Sequence, residues 1–548
     1  MRAGDNFSSH LTRMLRRFCT MWIVVIMMHF AATPTVAQGL AREAFGMHIR
    51  CTPSGGQNPD CPTPTSWPSI ATAPNRSQPI GTLRLHDDGA KFGNIQAHRK
   101  PDCNESVTSG CAWGAFDEWV RQARKRRVEM LYVFSRTPEW ACSKHSGCAA
   151  SDLPEDGPFL NFARAVRDRL VDGRPAGCRS AEKSDSGCIR YWEVWNEPNN
   201  GKSAFCGSIG DVVHLARLIS ETVKATDSRA QVVSPGVGYT ANYNGSSCSA
   251  GGIRGVGVCS KWGQGNGNPE AYVCEYLRQS GSHSGDHAGR DYTDIVGWHA
   301  YPSHSMRRTI VEDNILKRVA NIQSAMRDNG LKPCAPGQNS GCTQLWITET
   351  SWGSVGAGGH NDSELVSASC GLPQGCPRIG PLNDVDPLSC SSSKPGTQPG
   401  CWLHDQATYL VKLHILALSS GVSRVFWYWW DGQPWGTLFC KTPNAAAGCS
   451  EQARTQPYLQ NAARSYGAVE RWLEGSKPMG CSQSGDGTIA CDLTDASGSP
   501  AQIVWNSIAP RPFSPARPFV SAMDIYGNSE PVSRSMNIGY SPVLLKVK

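Results

Sequence analysis

The chain has 548 residues, more than one small core accommodates, so its length suggests two or more domains or one large barrel with an accessory module. Its 56 glycines and 36 prolines imply many turns and long loops, but no collagen-like period, low-complexity tract or internal repeat is present, and the composition is that of a globular protein. The net charge of +7 falls to about +4 once a basic leader is set aside, too weak a bias to argue for a nucleic-acid partner.

The leader comes first in chain order. Arg13, Arg16 and Arg17 precede an apolar run from Met21 to Phe30, and the small-residue pattern Thr35-Val36-Ala37 follows. Basic, apolar and small segments in that order describe a secretory signal over residues 1–37, cleaved after Ala37, with a run too short to span a bilayer comfortably. A retained anchor is the alternative, although Cys19 lies before the apolar run and is misplaced for lipid attachment. The expected location is extracellular or periplasmic, with no membrane contact after cleavage.

Cysteine usage supports export independently. Beyond Cys19 there are 22 cysteines, mostly in close pairs: 51/61, 103/111, 142/148, 178/188, 334/342, 370/376, 390/401, 440/449 and 481/491. Such spacings, without CxxC or companion histidines, read as short disulfide loops and not as zinc sites. The pairing of Cys206, Cys248, Cys259 and Cys274 stays open. Sequons at Asn75, Asn104, Asn244 and Asn361 matter only in a glycosylating host.

Eight short apolar runs recur along the chain: 44–49, 81–86, 128–135, 189–196, 231–235, 294–301, 344–349 and 424–430. Helical patterns lie between them. Phe116, Trp119, Val120 and Ala123 mark one helix, Phe159, Phe162, Val166 and Leu170 a second, and Val212, Leu215, Ile219 and Val223 a third, each at the spacing that buries one face. The basic run Arg124–Arg127 closes the first helix, where cations suit the dipole, so it reads as a solvated helix end. Strands alternating with helices imply a parallel sheet, and eight units imply a (β/α)8 TIM barrel, an α/β fold, over residues 38–475. A doubly wound open sheet is the rival, but no Gly-rich phosphate loop follows the first strand. Residues 476–548 alternate between turns with little helical signal and read as a small C-terminal β-sandwich. Two connections, near 240–290 and 353–400, are long enough to be rim insertions walling a groove.

In the segment YWEVWNEPNN, Glu197 follows the fourth strand, and in LWITETSWG, Glu349 ends the seventh. On a barrel both point into one mouth. Two carboxyl groups there suit glycosidic bond cleavage, one protonated to assist the leaving oxygen and one ionised to attack. Either glutamate alone could be a salt-bridged rim residue. Trp427, Trp429 and Trp430 alternate along the eighth strand, so at most two of them share the barrel interior. Trp140 and Trp435 are candidates for sugar stacking or, equally, for loop packing.

WNEPN (195–199) and ITETSWG (347–353) resemble the signatures of the large clan of retaining glycoside hydrolases built on the (β/α)8 barrel, and within it the chain looks most like family 39 and its relatives. The likeness extends over residues 44–548 through GTLRLHDDG, TPEWA, GWHAY and WYWWDG. It implies Glu197 as acid/base, Glu349 as nucleophile and Asn196 as a ligand of the sugar 2-hydroxyl. It further implies Arg84 beside Glu349, lowering its pKa, with Tyr301 bonded to Glu349, His299 on the same floor and Trp427, accompanied by Trp430, as a sugar platform. Members of the clan often carry a histidine near the end of the third strand, where this chain has Phe134-Ser135-Arg136-Thr137, so His86 or Arg136 would have to compensate. The expected activity is retaining hydrolysis of a β-linked polysaccharide or oligosaccharide, with no cofactor and no metal. A non-catalytic carbohydrate-binding or cell-wall protein and a transglycosylase are the alternatives. The glycan, endo or exo action and the oligomeric state are not fixed by the sequence.

Overall fold

The computed structural model describes residues 39–49, 80–87, 89–99, 111–144, 147–181, 187–238, 257–262, 269–281, 292–301, 311–351, 401–430, 438–440, 458–532 and 535–547, and the short strands Arg378–Ile379 and Asp384–Val385. The leader, Trp435, the pairs 51/61 and 370/376, one partner each of 103/111, 390/401 and 440/449, and most of both rim insertions lie outside these residues.

All eight expected strands form: β1 (Phe45–His48), β2 (Thr82–Leu85), β3 (Glu129–Val133), β4 (Ile189–Glu193), β5 (Gln231–Val233), β6 (Ile295–His299), β7 (Gln344–Thr350) and β8 (Val422–Trp427). Each pairs in parallel with its sequence neighbours, and β1 pairs with β8, which closes the barrel. The helices α1 (Gly114–Arg126), α2 (Asp156–Asp168), α3 (Ile209–Lys224), α4 (Pro269–Ser280), α5 (Val311–Asp328) and α6 (Cys401–Ser419) make the crossovers from β2 onward, and α7 (Asn461–Leu473) follows β8. Parallel neighbours require such crossovers.

Local chemistry sets the helix ends. At the start of α3, Ser208 and Asp211 form a reciprocal capping box. At the end of α1, Arg127 turns left-handed (φ 54°) after three cationic residues in the last turn. The second helix stops short of Leu170, which was expected to extend its apolar stripe. Leu170 is 62% exposed and opens a hairpin whose turn residues Asp172 and Gly173 both have positive φ. Part of the expected 240–290 insertion is the barrel helix α4 itself, stapled to the turn Gly257–Trp262 by the disulfide Cys259–Cys274. This bond resolves half of the open cysteine pairing. Disulfides 142/148, 178/188, 334/342 and 481/491 form as the spacing suggested. No helix of the described residues is long and apolar enough to cross a membrane.

Strand alternation divides the side chains between the barrel interior and the helix layer. Inside, Leu131, Tyr191, Val233, Ile295, Trp346 and Phe426 make one closed cluster. Below it, the buried Arg424 reaches Glu129 at 2.6 Å, Thr82 at 2.7 Å and the Tyr191 hydroxyl at 2.9 Å, and lies 4.3 Å from the Trp346 ring centroid. The barrel is therefore a packed core plugged by a cation over aromatic faces.

After α7 the strands β9 (Lys477–Gln483), β10 (Thr488–Thr494), β11 (Pro500–Asn506), β12 (Ser521–Met523), β13 (Ser529–Pro531) and β14 (Val543–Lys546) form an antiparallel sheet in the order β9-β10-β11-β14-β12-β13. Residues Arg511–Phe513 pair with Met536–Ile538 beside it. The sheet packs on α6: buried Lys412 lies 3.2 Å from the Tyr540 ring centroid, and Thr408 bonds Ser541 at 3.0 Å.

Gly46 is forced by close approach, because a Cβ there would lie 2.4 Å from the Phe426 ring. Gly46→Ala is expected to cost about 1–3 kcal/mol in denaturant unfolding, and part of that loss should return when Phe426→Leu is added.

Candidate active site

At the carboxyl ends of the strands the interior turns polar: His48, Arg84, Glu193, His299 and Glu349 are all buried there. Glu349 needs a backbone device to join them. Trp346 points inward, so strict alternation would send Glu349 outward with Ile347. The register between β6 and β7 shifts by one residue, from Trp298↔Ile347 to His299↔Glu349. This bulge at Thr348 brings Glu349 into phase with the inward-facing His299.

Glu197 uses a different device. It follows β4 with φ 46°, in the left-handed region that an ordinary side chain rarely adopts. The conformation is held by backbone bonds from Glu197 N to Gly236 O at 2.7 Å and from Asn200 N to Glu197 O at 2.9 Å. Asn199 grips the Gly238 backbone from both sides, donating to its carbonyl at 2.6 Å and accepting from its amide at 3.1 Å. Gly238 must be glycine, since a Cβ would sit 2.4 Å from Glu197 Oε1.

One cation organises the mouth. Arg84 donates through Nε to Glu193 Oε2 at 2.6 Å, through one terminal nitrogen to Glu349 Oε2 at 2.9 Å, and through the other to Asn196 Oδ1 at 2.8 Å. Tyr301 donates a short hydrogen bond to Glu349 Oε1. His299 bridges the two acids, with Nδ1 2.8 Å from Glu197 Oε1 and Nε2 3.8 Å from Glu349 Oε2. Burial pulls its pKa down to about 4, so the imidazole is neutral near pH 7 and carries a single N–H. A Glu197 oxygen, a Glu349 oxygen and a His299 nitrogen all lie within 4.8 Å of one another.

The two carboxyl groups differ in their partners. Burial pushes Glu197 up to about 7; Arg84 and a hydrogen bond from Asn200 at 2.6 Å oppose the rise, and the Asp87 charge adds to it. Burial also raises Glu349, whereas the sequence suggested that Arg84 would lower it. The desolvation of this buried carboxyl outweighs the relief given by Arg84 and the Tyr301 hydroxyl.

The expected residues thus divide. Arg84, Asn196, Glu197, His299, Tyr301 and Glu349 converge on one mouth. Trp427 does not join them: Phe426 takes the inward position, and Trp427 is fully buried in the layer beneath α6, with its ring 6.3 Å from Tyr409. Trp430 is stacked on Phe439 and 2% exposed. Trp140 is half-buried, tied by its indole N–H to Gln96 O at 2.9 Å, and lines a separate cavity of about 360 Å³ with Glu139, Lys144 and Glu155. The aromatic residue that reaches the mouth is Tyr428, just past β8, half-buried, its hydroxyl 2.8 Å from Asp87 Oδ2 and its ring 5.0 Å from His48. Of the two proposed substitutes for a third-strand histidine, Arg136 is exposed and His86 is buried beside Asp87 at 3.2 Å. Sequence reasoning missed Glu193, His48, Asp87, Asn200 and Tyr428; the inward phase of each strand, once its apolar interior residue is known, would have found the first two.

Among the described residues, two groups could offer three ligand atoms to a metal. In Cys142, Cys148 and Asp152 the thiols are consumed by a disulfide, and in Glu197, His299 and Glu349 a metal would have to displace the Arg84 and Tyr301 hydrogen bonds.

With this geometry in view, the fold finds parallels. The chain is similar to a family 39 glycoside hydrolase from Bacteroides cellulosilyticus WH2, with 14% identity, a TM-score of 0.53, and 93% of this chain and 81% of that one covered. It is also similar to a family 51 α-L-arabinofuranosidase from Bifidobacterium longum, with 12% identity, a TM-score of 0.51, and 93% and 97% covered. At such identities the likeness is one of fold. No protein-family model and no curated protein matches the chain.

The raised Glu197 pKa has a consequence for stability. The folded chain keeps this proton up to about pH 7, whereas the free carboxyl loses it near 4.5. Between those values the folded state binds more protons, so its stability declines as pH rises through the window. Glu197→Gln should match the parent at pH 4 and exceed it by about 2–3 kcal/mol at pH 8, read from denaturant midpoints at both pH values.

Proposed function

We propose that the protein is a secreted glycoside hydrolase that cleaves a β-linked polysaccharide or oligosaccharide with retention of anomeric configuration. Glu197 acts as acid/base and Glu349 as nucleophile. The observation that carries the reading is the approach of the two carboxyl groups, which have oxygens within 4.8 Å of each other across one barrel mouth. Carboxyl pairs about 5–5.5 Å apart serve double displacement, whereas inversion needs about 6.5–9.5 Å to admit a water. The barrel parallels among glycoside hydrolases and the five disulfides formed among the described residues, which suit an oxidising compartment, support the same reading. The antiparallel sheet of residues 476–548, with its neighbouring strand pair, serves as a sandwich-like accessory domain.

The reaction runs in two steps. A Glu349 oxygen attacks the anomeric carbon while the Glu197 proton passes to the leaving glycosidic oxygen, and a glycosyl ester forms on Glu349 as the alcohol departs. Glu197, now ionised, removes a proton from water, whose oxygen attacks the same carbon and returns Glu349 as carboxylate. Burial keeps the proton on Glu197 near neutral pH, and Arg84 with Tyr301 supports the anion on Glu349. Asn196 is fixed by donation from Arg84 to its Oδ1, which leaves the amide N–H groups for the sugar 2-hydroxyl.

Four outcomes test this. Proton NMR of the first-formed sugar on a β-glycan substrate should show the β-anomer, and the α-anomer as first product overturns retention. Glu349→Gln should lose at least about 10⁴-fold in kcat with unchanged unfolding, while Glu197→Ala should recover rate on an aryl glycoside in azide. On the alkaline side, kcat/KM should fall with a midpoint near 7.

A further inference from the structure

A third carboxylate lies beneath the pair, and the mechanism above does not use it. Glu193 closes β4 in the inward phase of Tyr191 and is 0% exposed. Its Oε2 takes the Arg84 Nε–H at 2.6 Å, the shortest of the three Arg84 contacts, while its Oε1 is buried with no hydrogen-bond partner among the described residues. Gly236 faces it: a Cβ there would lie 2.6 Å from Glu193 Oε1 and 2.3 Å from His299 Nε2. The chain thus keeps a buried anion against the guanidinium that serves the nucleophile, and a glycine leaves room for that anion and the bridging imidazole together. A buried carboxylate with a spare oxygen is costly, and a mere filler at this position would be apolar.

Resting on the reading of Glu197 and Glu349 as acid/base and nucleophile, we infer that Glu193 is a positioning residue: it aims Arg84 at Glu349 and Asn196 and shares its positive charge, so that the cation does not strip the proton from Glu197. The geometry supplies both parts. A planar guanidinium has one Nε–H edge, and with Glu193 holding it, the two terminal nitrogens point toward Glu349 and Asn196. The charge of Arg84 otherwise acts on every titratable group around it. These are Glu349 and Tyr301 from the β6 and β7 ends, His299 between the acids, His48 on β1 at 3.4 Å, His86 and Asp87 past the end of β2, and Glu197 above β4. With Glu193 in place the Arg84–Glu193 couple is neutral; without that charge the site is one unit more positive, and both carboxyl groups release their protons more readily.

Two substitutions separate charge from reach. Glu193→Gln keeps the length and the acceptor oxygen but removes the charge. Both limbs of the kcat/KM–pH profile should move to lower pH by about half a unit or more, with kcat at pH 7 down about tenfold and KM within about threefold. Glu193→Asp keeps the charge but is one methylene short of Arg84, so kcat should fall by a similar factor with the limbs in place. Fluorosugar trapping of a glycosyl ester on Glu349 in the parent, detected by mass spectrometry, establishes the underlying reading. If the ester forms and Glu193→Gln leaves the profile and kcat unchanged, the role of Glu193 is refuted while the reading stands. If no ester forms on Glu349, the reading itself fails. A Glu193→Gln variant that loses rate with both limbs fixed would leave Glu193 a structural prop and equally overturn the inference.

Discussion

The Arg84 guanidinium is the constraint on which the rest of the mouth depends. It is buried, and it spends its three donor nitrogens on two parts of the chain: Glu193 and Asn196 at and just past the end of β4, and Glu349 in β7. Burial alone would lower its pKa, but the two carboxylates raise it above the ordinary arginine value, so the cation is permanent. A buried ion group of this kind adds little net stability, because desolvation offsets the attraction. Its contribution is geometric. Removing Arg84 would leave two buried carboxyl groups without their cation, which ties their positions to it.

Around that group the backbone departs from its local preferences at several places beside the candidate acids. Glu197 sits at positive φ, a conformation costing of order 1 kcal/mol for a residue with a side chain. β7 bulges at Thr348 to turn Glu349 inward, and Gly236 and Gly238 lie where any larger residue would strike Glu193, His299 or Glu197. Elsewhere the capping box of α3 and the Asp-Gly hairpin after α2 match their sequence, while Arg127 and Arg136 also take left-handed φ. Departures gathered beside both candidate acids are a pattern expected of a functional site.

The fold was legible in the sequence because its signals are local. Eight apolar runs separated by one-faced helical patterns require a parallel sheet, and nothing in the chain competes with that pattern. Glu197 and Glu349 were legible for the same reason, as carboxylates placed where an apolar strand ends. What the sequence hid depends on phase. Trp427 looked like a sugar platform until Phe426 took the inner face, which turns Trp427 toward α6 and leaves Tyr428 at the mouth. Glu193 was hidden because, within IRYWE, it reads as one polar residue of an ordinary half-buried strand; only closure of the barrel makes both strand faces interior. The rise in the Glu349 pKa was hidden as well, since the sequence names the cation beside it but not the depth at which the pair is enclosed.

Burial alone cannot assign different tasks to two carboxyl groups, because it raises both. The distinction comes from what each oxygen meets. Glu197 faces neutral groups, the His299 imidazole and the Asn200 amide, which tolerate either protonation state. Glu349 faces a permanent cation on one oxygen and a hydroxyl donor on the other, and both donate best to an anion. When one proton is available to the pair, it therefore resides on Glu197, and the asymmetry is built by Arg84 and Tyr301 on the far side of His299. On the proposed reading, this choice of donors around one of two identical side chains is what separates the acid from the nucleophile.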